Sequence, residues 1–137
     1  MKTFLTVILT ICLFIPQVKA SSLEDLLKNI DEFCSDQFTH TENQILCKQV
    51  QFKSAKIYFS KYFGPYVVDK YSIENEKSID KKAYKDPVVK IIVGCSMKNK
   101  DLKGRTNWEA TLMCVEIMIE NYKNSLYWKR YKDDLWF

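Results

Sequence analysis

Histidine is almost missing from this chain of 137 residues, which holds one, and glycine and proline occur three times each. A Ser-His-Asp or Cys-His centre would have to use His40, which falls in a predicted loop. Gly64, Gly94 and Gly104 are too scattered to build a phosphate-cradling loop. There is no second histidine and no Cys-x-x-Cys pair, so a tetrahedral metal site lacks its ligands and no cofactor is implied. Neighbouring carboxylates such as Asp31/Glu32 and Asp133/Asp134 face apart on a helix and read as solvated charge rather than an acid–base pair. Repeats, low-complexity tracts and linker-like stretches are also lacking, which leaves a single domain. These absences argue for binding and against catalysis.

What is present begins with a compartment signal. Lys2 precedes an apolar run at residues 4–16, broken only by Thr6 and Thr10, and Val18-Lys19-Ala20 ends on a small residue. That order is a secretory signal, with cleavage expected after Ala20. The run is shorter than the roughly 20 residues a bilayer requires, and no second one follows, so no stable membrane insertion is expected. The chain then divides into a signal peptide at 1–20 and one extracellular helical domain at 21–137, ending in an aromatic-basic tail.

The patterning is helical throughout. Leu23, Leu26, Leu27, Ile30, Phe33 and Cys34 fall on one face, with Ser22 and Asp25 as a capping pair. A second helix opens on the Thr41/Gln44 capping box and is expected to stop at Gly64-Pro65. Residues 66–86 promise only short turns, around 79–84. Asp86-Pro87 is an N-cap followed by proline at the first helical position, and Val88, Ile91, Ile92 and Cys95 form the buried face of the next helix. The Val/Ile run at 88–93 would also suit a strand, but capping and periodicity agree on helix. Thr106 and Glu109 make a third capping box, before a stripe of Trp108, Thr111, Leu112, Val115, Ile119 and Tyr122. The expected fold is all-α, a compact bundle of about five to six helices with two disulfides.

Removing the first twenty residues leaves four cysteines, Cys34, Cys47, Cys95 and Cys114, and an even count in a short secreted chain reads as two bridges. Pairing neighbours would staple two helical hairpins, each closure contributing about 3 kcal/mol. Four cysteines admit three connectivities, and spacing leaves the other two open.

A resemblance adds to this. The stretch Ile91-Ile92-Val93-Gly94-Cys95, followed by Asn107-Trp108-Glu109-Ala110-Thr111-Leu112-Met113-Cys114-Val115-Glu116, resembles the last half of an insect odorant-binding-type domain. The front half, Cys34-Ser35-Asp36-Gln37-Phe38, then Ile45-Leu46-Cys47 and Tyr62-Phe63-Gly64, is similar to the odorant-binding-like small salivary proteins of sand flies and related biting flies. So is the tail from Asn124-Ser125-Leu126-Tyr127-Trp128 to Asp133. The four-cysteine salivary proteins of anopheline mosquitoes, the anophensin and albicin group, are a second resemblance. The family's six-cysteine pairing, first with third and fourth with sixth, implies Cys34–Cys47 and Cys95–Cys114. Arg105 stands where the fifth cysteine would be and Asn43 where the second would be. The resemblance implies a salivary protein of a blood feeder that interferes with contact-pathway coagulation or complement.

Charge suggests how such a protein would bind. Residues 21–47 carry −5, residues 48–70 carry +4 and residues 81–105 carry +6, although the chain without its first twenty residues totals only +2. Lys81, Lys82, Lys85, Lys90, Lys98, Lys100, Lys103 and Arg105 form a candidate surface for a host protein or a polyanion such as a sulfated glycan or polyphosphate. A second candidate is a pocket lined by Phe52, Tyr58, Phe59, Phe63, Trp108 and Leu112 for a small ligand. The resemblance makes that ligand hydrophobic or an amine. Tyr127, Trp128, Tyr131, Trp136 and Phe137 would either fold back as a lid or anchor a partner. No nucleic-acid recognition motif is present, so none is expected as a partner.

Overall fold

The computed structural model describes residues 20–135, so all but the last residue of the signal peptide expected at 1–20, together with Trp136 and Phe137, lies outside the described residues. The class is all-α, with four helices rather than five or six. Helix α1 is Ala20–Gln37 and buries Ile30, Phe33 and Cys34, while Leu27 of the expected stripe stays exposed. Ser22 lies inside this helix, so it is not the N-cap.

Helix α2, Thr41–Ile57, is capped by His40 in extended backbone, without a side-chain cap. Thr41 is therefore the first helical residue, and Gln44 donates instead to the Phe38 carbonyl at 2.7 Å. The expected stop at Gly64-Pro65 does not occur. The rod continues as a π-helical stretch, Tyr58–Val68, and a last α turn, Asp69–Tyr71. Within an α-helix a proline ring collides with the carbonyl one turn back. The wider i→i+5 spiral relieves that collision, and the Asp69 N–H still reaches the Gly64 carbonyl. The wide stretch is held by what it buries: Tyr58, Tyr62, Phe63 and Val67 all belong to the core. The rod ends where Ser72 turns left-handed, at φ 56°.

Residues 72–86 form a loop with two 3₁₀ turns, Glu76–Ser78 and Ala83–Lys85. Asn75 accepts the Lys77 and Ser78 N–H groups, and Asp80 accepts that of Ala83. Helix α3, Pro87–Lys98, begins as its sequence predicts, with the Asp86 carboxylate accepting the Val88 N–H at 2.9 Å. Its buried face is Val89, Ile92, Val93, Cys95 and Ser96, with Val88 and Ile91 half-buried at the edge.

Helix α4, Trp108–Leu135, starts one residue beyond Asn107. Asn107, not Thr106, supplies the cap, accepting the Ala110 N–H at 3.1 Å. The buried stripe of Trp108, Thr111, Val115 and Ile119 follows the expected period. The tail continues as the same helix through Leu135, so up to that point it does not fold back as a lid.

Two disulfides, Cys34–Cys47 and Cys95–Cys114, each with Cα atoms 5.7 Å apart, tie α1 to α2 and α3 to α4. The two hairpins meet where α2 and its π stretch pack on α3 and α4. At that junction Tyr58 is fully buried, and its hydroxyl donates to the Ile92 carbonyl at 3.1 Å. Burial, with the Glu76 carboxylate nearby, pushes this phenol far above the ordinary tyrosine range. Replacing either cysteine pair by alanines is expected to lower stability by about 3 kcal/mol, read from urea unfolding as a lower midpoint with a steeper slope, because the unlinked denatured chain exposes more surface.

Candidate functional site

The eight cations of residues 81–105 separate into two groups. In the loop between α3 and α4, Lys100 and Thr106 form an antiparallel bridge, and the Asn107 N–H donates to the Asn99 carbonyl at 2.9 Å. Asp101 organises the turn between them. One of its oxygens accepts the Lys103 and Arg105 N–H groups, while the other accepts Arg105 Nε at 2.9 Å. Gly104 takes φ 77°, a conformation that favours glycine.

Arg105 is buried, with 7% of its surface exposed, and its guanidinium also meets Asp36 at the end of α1 at 2.7 Å. Lys103 shares Asp36 at 3.1 Å, and Lys100 lies 3.8 Å from Glu76. All three cations of the loop are thus faced by carboxylates, and Arg105 is almost wholly removed from the surface. The bonds from Arg105 hold both Asp36 and Asp101 below the ordinary carboxylate range.

The second group is Lys81, Lys82, Lys85, Lys90 and Lys98. All five are exposed, with no ion pair among the described residues. The two carboxylates interleaved with the first four are already engaged. Asp80 holds the Ala83 N–H, while Asp86 caps α3 and accepts Tyr71 at 2.6 Å and Lys70 at 3.0 Å. Burial alone would raise the Asp86 carboxyl, yet the bonds from Tyr71, Lys70 and Val88 outweigh it and keep the group below its usual range.

Helix α4 reaches this same end of the molecule. The Cys95–Cys114 bridge sets the register of the α3–α4 hairpin, and α3 begins at Pro87 whereas α4 runs on to Leu135. About 13 residues of α4, about 20 Å at 1.5 Å per residue, therefore pass beyond the start of α3. On this arm Lys123, Lys129 and Arg130 are exposed, as are Leu126 and Tyr127. The side chains of Trp128 and Tyr131 lie outside the described residues.

The six candidate pocket residues are only partly brought together. Phe59, Phe63 and Trp108 border a groove of ≈ 460 Å³ with Leu26 and Asn29 of α1, rimmed by Asp25, Glu74, Glu76, Lys77 and Lys100. Phe59 stands 5.1 Å from Trp108 and 5.8 Å from Phe63, centroid to centroid. Tyr58 is core rather than lining, and Phe52 and Leu112 are half-buried against the core.

Two positioning residues escaped the sequence. Gln51 is buried on α2, donates to Asn107 Oδ1 at 3.0 Å and accepts the Trp108 N–H at 2.6 Å, so it fixes the start of α4 from another helix. Asp36 anchors Arg105 across 69 positions of sequence. Neither has a local signal; only a buried-face reading of α2 that included Gln51 would have exposed the first.

The architecture defines a disulfide-stapled all-α protein with a cation-rich end. The chain matches no family model, no curated protein and no solved structure. Among the described residues no helix is long and apolar enough to cross a membrane.

The Asp36–Arg105–Asp101 cluster contributes stability above the ordinary carboxylate range and loses it as pH falls through the depressed folded values. Arg105→Gln should lower the melting temperature at neutral pH by several degrees and move acid unfolding to higher pH. Lys98→Gln should change neither, as followed by circular dichroism across a pH series.

Proposed function

We propose that the chain is a secreted, non-enzymatic binding protein that holds an anionic surface or an acidic host protein through the cation-rich end where the 81–90 segment meets the α4 arm. The observation carrying this reading is that Asp86 is engaged by Val88, Tyr71 and Lys70 and Asp80 by the Ala83 N–H, so that Lys81, Lys82, Lys85 and Lys90 stand exposed with no ion pair among the described residues. Like charges without partners attract polyanions over roughly a Debye length, about 8 Å at physiological salt. Two further features support binding over catalysis. All four cysteines after residue 20 are bridged. His40 is exposed at the head of α2, where it makes no side-chain cap bond, and it lines neither groove, although Phe38 and Asn43 on either side of it line one of them. The resemblance to odorant-binding-like salivary proteins of blood-feeding flies gives the reading a setting, interference with host haemostasis or complement at a negatively charged trigger.

Heparin chromatography tests it. The oxidised protein should be retained at low salt and released by moderate salt. K81E/K82E/K85E/K90E should flow through at physiological ionic strength, whereas K98Q/K100Q/K103Q should elute only slightly early. Equal retention of the first variant and wild type would overturn the assignment.

A second reading rests on the groove floored by Phe59, Phe63 and Trp108, which suits a small hydrophobic or amine ligand with its polar end among Asp25 and Glu76. Displacement of a fluorescent fatty-acid or amine probe at low micromolar concentration, weakened at least tenfold by Phe59→Ala, is the outcome this reading expects.

A further inference from the structure

The end of the molecule opposite Lys81, Lys82, Lys85 and Lys90 carries two apolar features with no partner inside the fold. Leu102 is fully exposed, 108% by relative area, at the tip of the loop that Asp101 and Arg105 hold rigid. Beside it, α1 and α2 leave a groove of ≈ 390 Å³ lined by Phe33, Phe38, Leu46 and Val50. Phe38, Leu46 and Val50 are 40%, 59% and 42% exposed. The two features are neighbours, because Asp36 binds Arg105 next to Gln37 of the groove wall, and Asn107 ends the loop and lines the groove. Contiguous apolar surface of this kind on a small chain marks an interaction site.

We propose that the occupant of this groove is Leu102 of a second copy of the chain, in a reciprocal, two-fold symmetric dimer. A knob and a socket side by side on one face are what an isologous contact requires, since each copy offers to the other what it accepts. Charge agrees. Glu109 lines the groove, exposed and without an ion pair among the described residues. Lys98, equally exposed and unpaired, ends α3 beside the Leu102 loop. The clamp lets Leu102 enter a socket without first ordering the loop, which lowers the entropic cost of association. The cation-rich end lies at the far end of the α3–α4 hairpin and stays free in the dimer, so this inference stands whatever that end binds.

Sedimentation velocity on the oxidised protein is the test, over a concentration series up to several hundred micromolar. The sedimentation coefficient should rise with concentration. L102D (knob removed) and L46D (socket blocked) should each weaken association at least tenfold with unchanged helicity. An equimolar mixture of the two should associate more strongly than either alone, because one intact knob–socket contact re-forms only between unlike copies. A chain that stays monomeric throughout, variants that associate like wild type, or a mixture no better than its components would each overturn the dimer. So would a monomer that binds phosphatidylserine vesicles in a Leu102-dependent way, which would assign the tip to a membrane surface.

Discussion

Arg105 holds together parts of the chain that have no other reason to stay in place. Its backbone closes the turn on Asp101, its Nε and Nη2 grip the same carboxylate, and its Nη1 reaches Asp36 at the end of α1. A lysine could not do this, because a single ammonium lacks the planar fork that lets one side chain satisfy two carboxylates. The consequence runs in both directions from the loop. Asn107, at the end of the loop, is placed to cap α4 and to meet Gln51, while α1 is pinned to the α3–α4 hairpin independently of its bridge to α2.

The central rod answers a different constraint. Its aromatic residues must face α3 and α4 on one side while the chain passes Gly64-Pro65, which an ordinary α-helix would not tolerate. The π stretch reconciles the two by widening the spiral at the cost of regular hydrogen bonding, and burial of Tyr58, Tyr62, Phe63 and Val67 repays it. The same widened segment presents Phe59 and Phe63 to the groove, so the strained part of the rod and the lining of the cavity are one piece of chain.

Local signals in the sequence were reliable where the structure is local. The Asp86-Pro87 start of α3 and the buried stripe of α4 follow from short spacings, and both are found; the neighbour pairing of the cysteines, which spacing left as one of three connectivities, is also the one present. Capping residues were mislocated by one position at α2 and α4 because two adjacent polar residues competed, and tertiary bonds from Gln44 and Gln51 settled the choice. The helix stop at Gly64-Pro65 failed since propensity takes no account of an aromatic core that favours continuation. The candidate site fared less well for one reason: charge was read along the chain, whereas neutralisation happens across space.

That last point changes the physical picture of the protein. The +6 segment at 81–105 looks continuous in sequence, but Asp36 and Glu76 reach into its second half and cancel most of it. The first half keeps most of its charge because Asp86, its one acid, is turned to Val88, Tyr71 and Lys70. A run that seemed to be one patch is therefore a structural ionic cluster at one end of the α3–α4 hairpin and an unbalanced cationic surface at the other. The α4 arm then adds Lys123, Lys129 and Arg130 to the unbalanced end. Segregation of this kind gives the small net charge of the chain a direction: one pole is left to attract anions at a distance, and the neutralised pole is left with Leu102 and the apolar groove beside it.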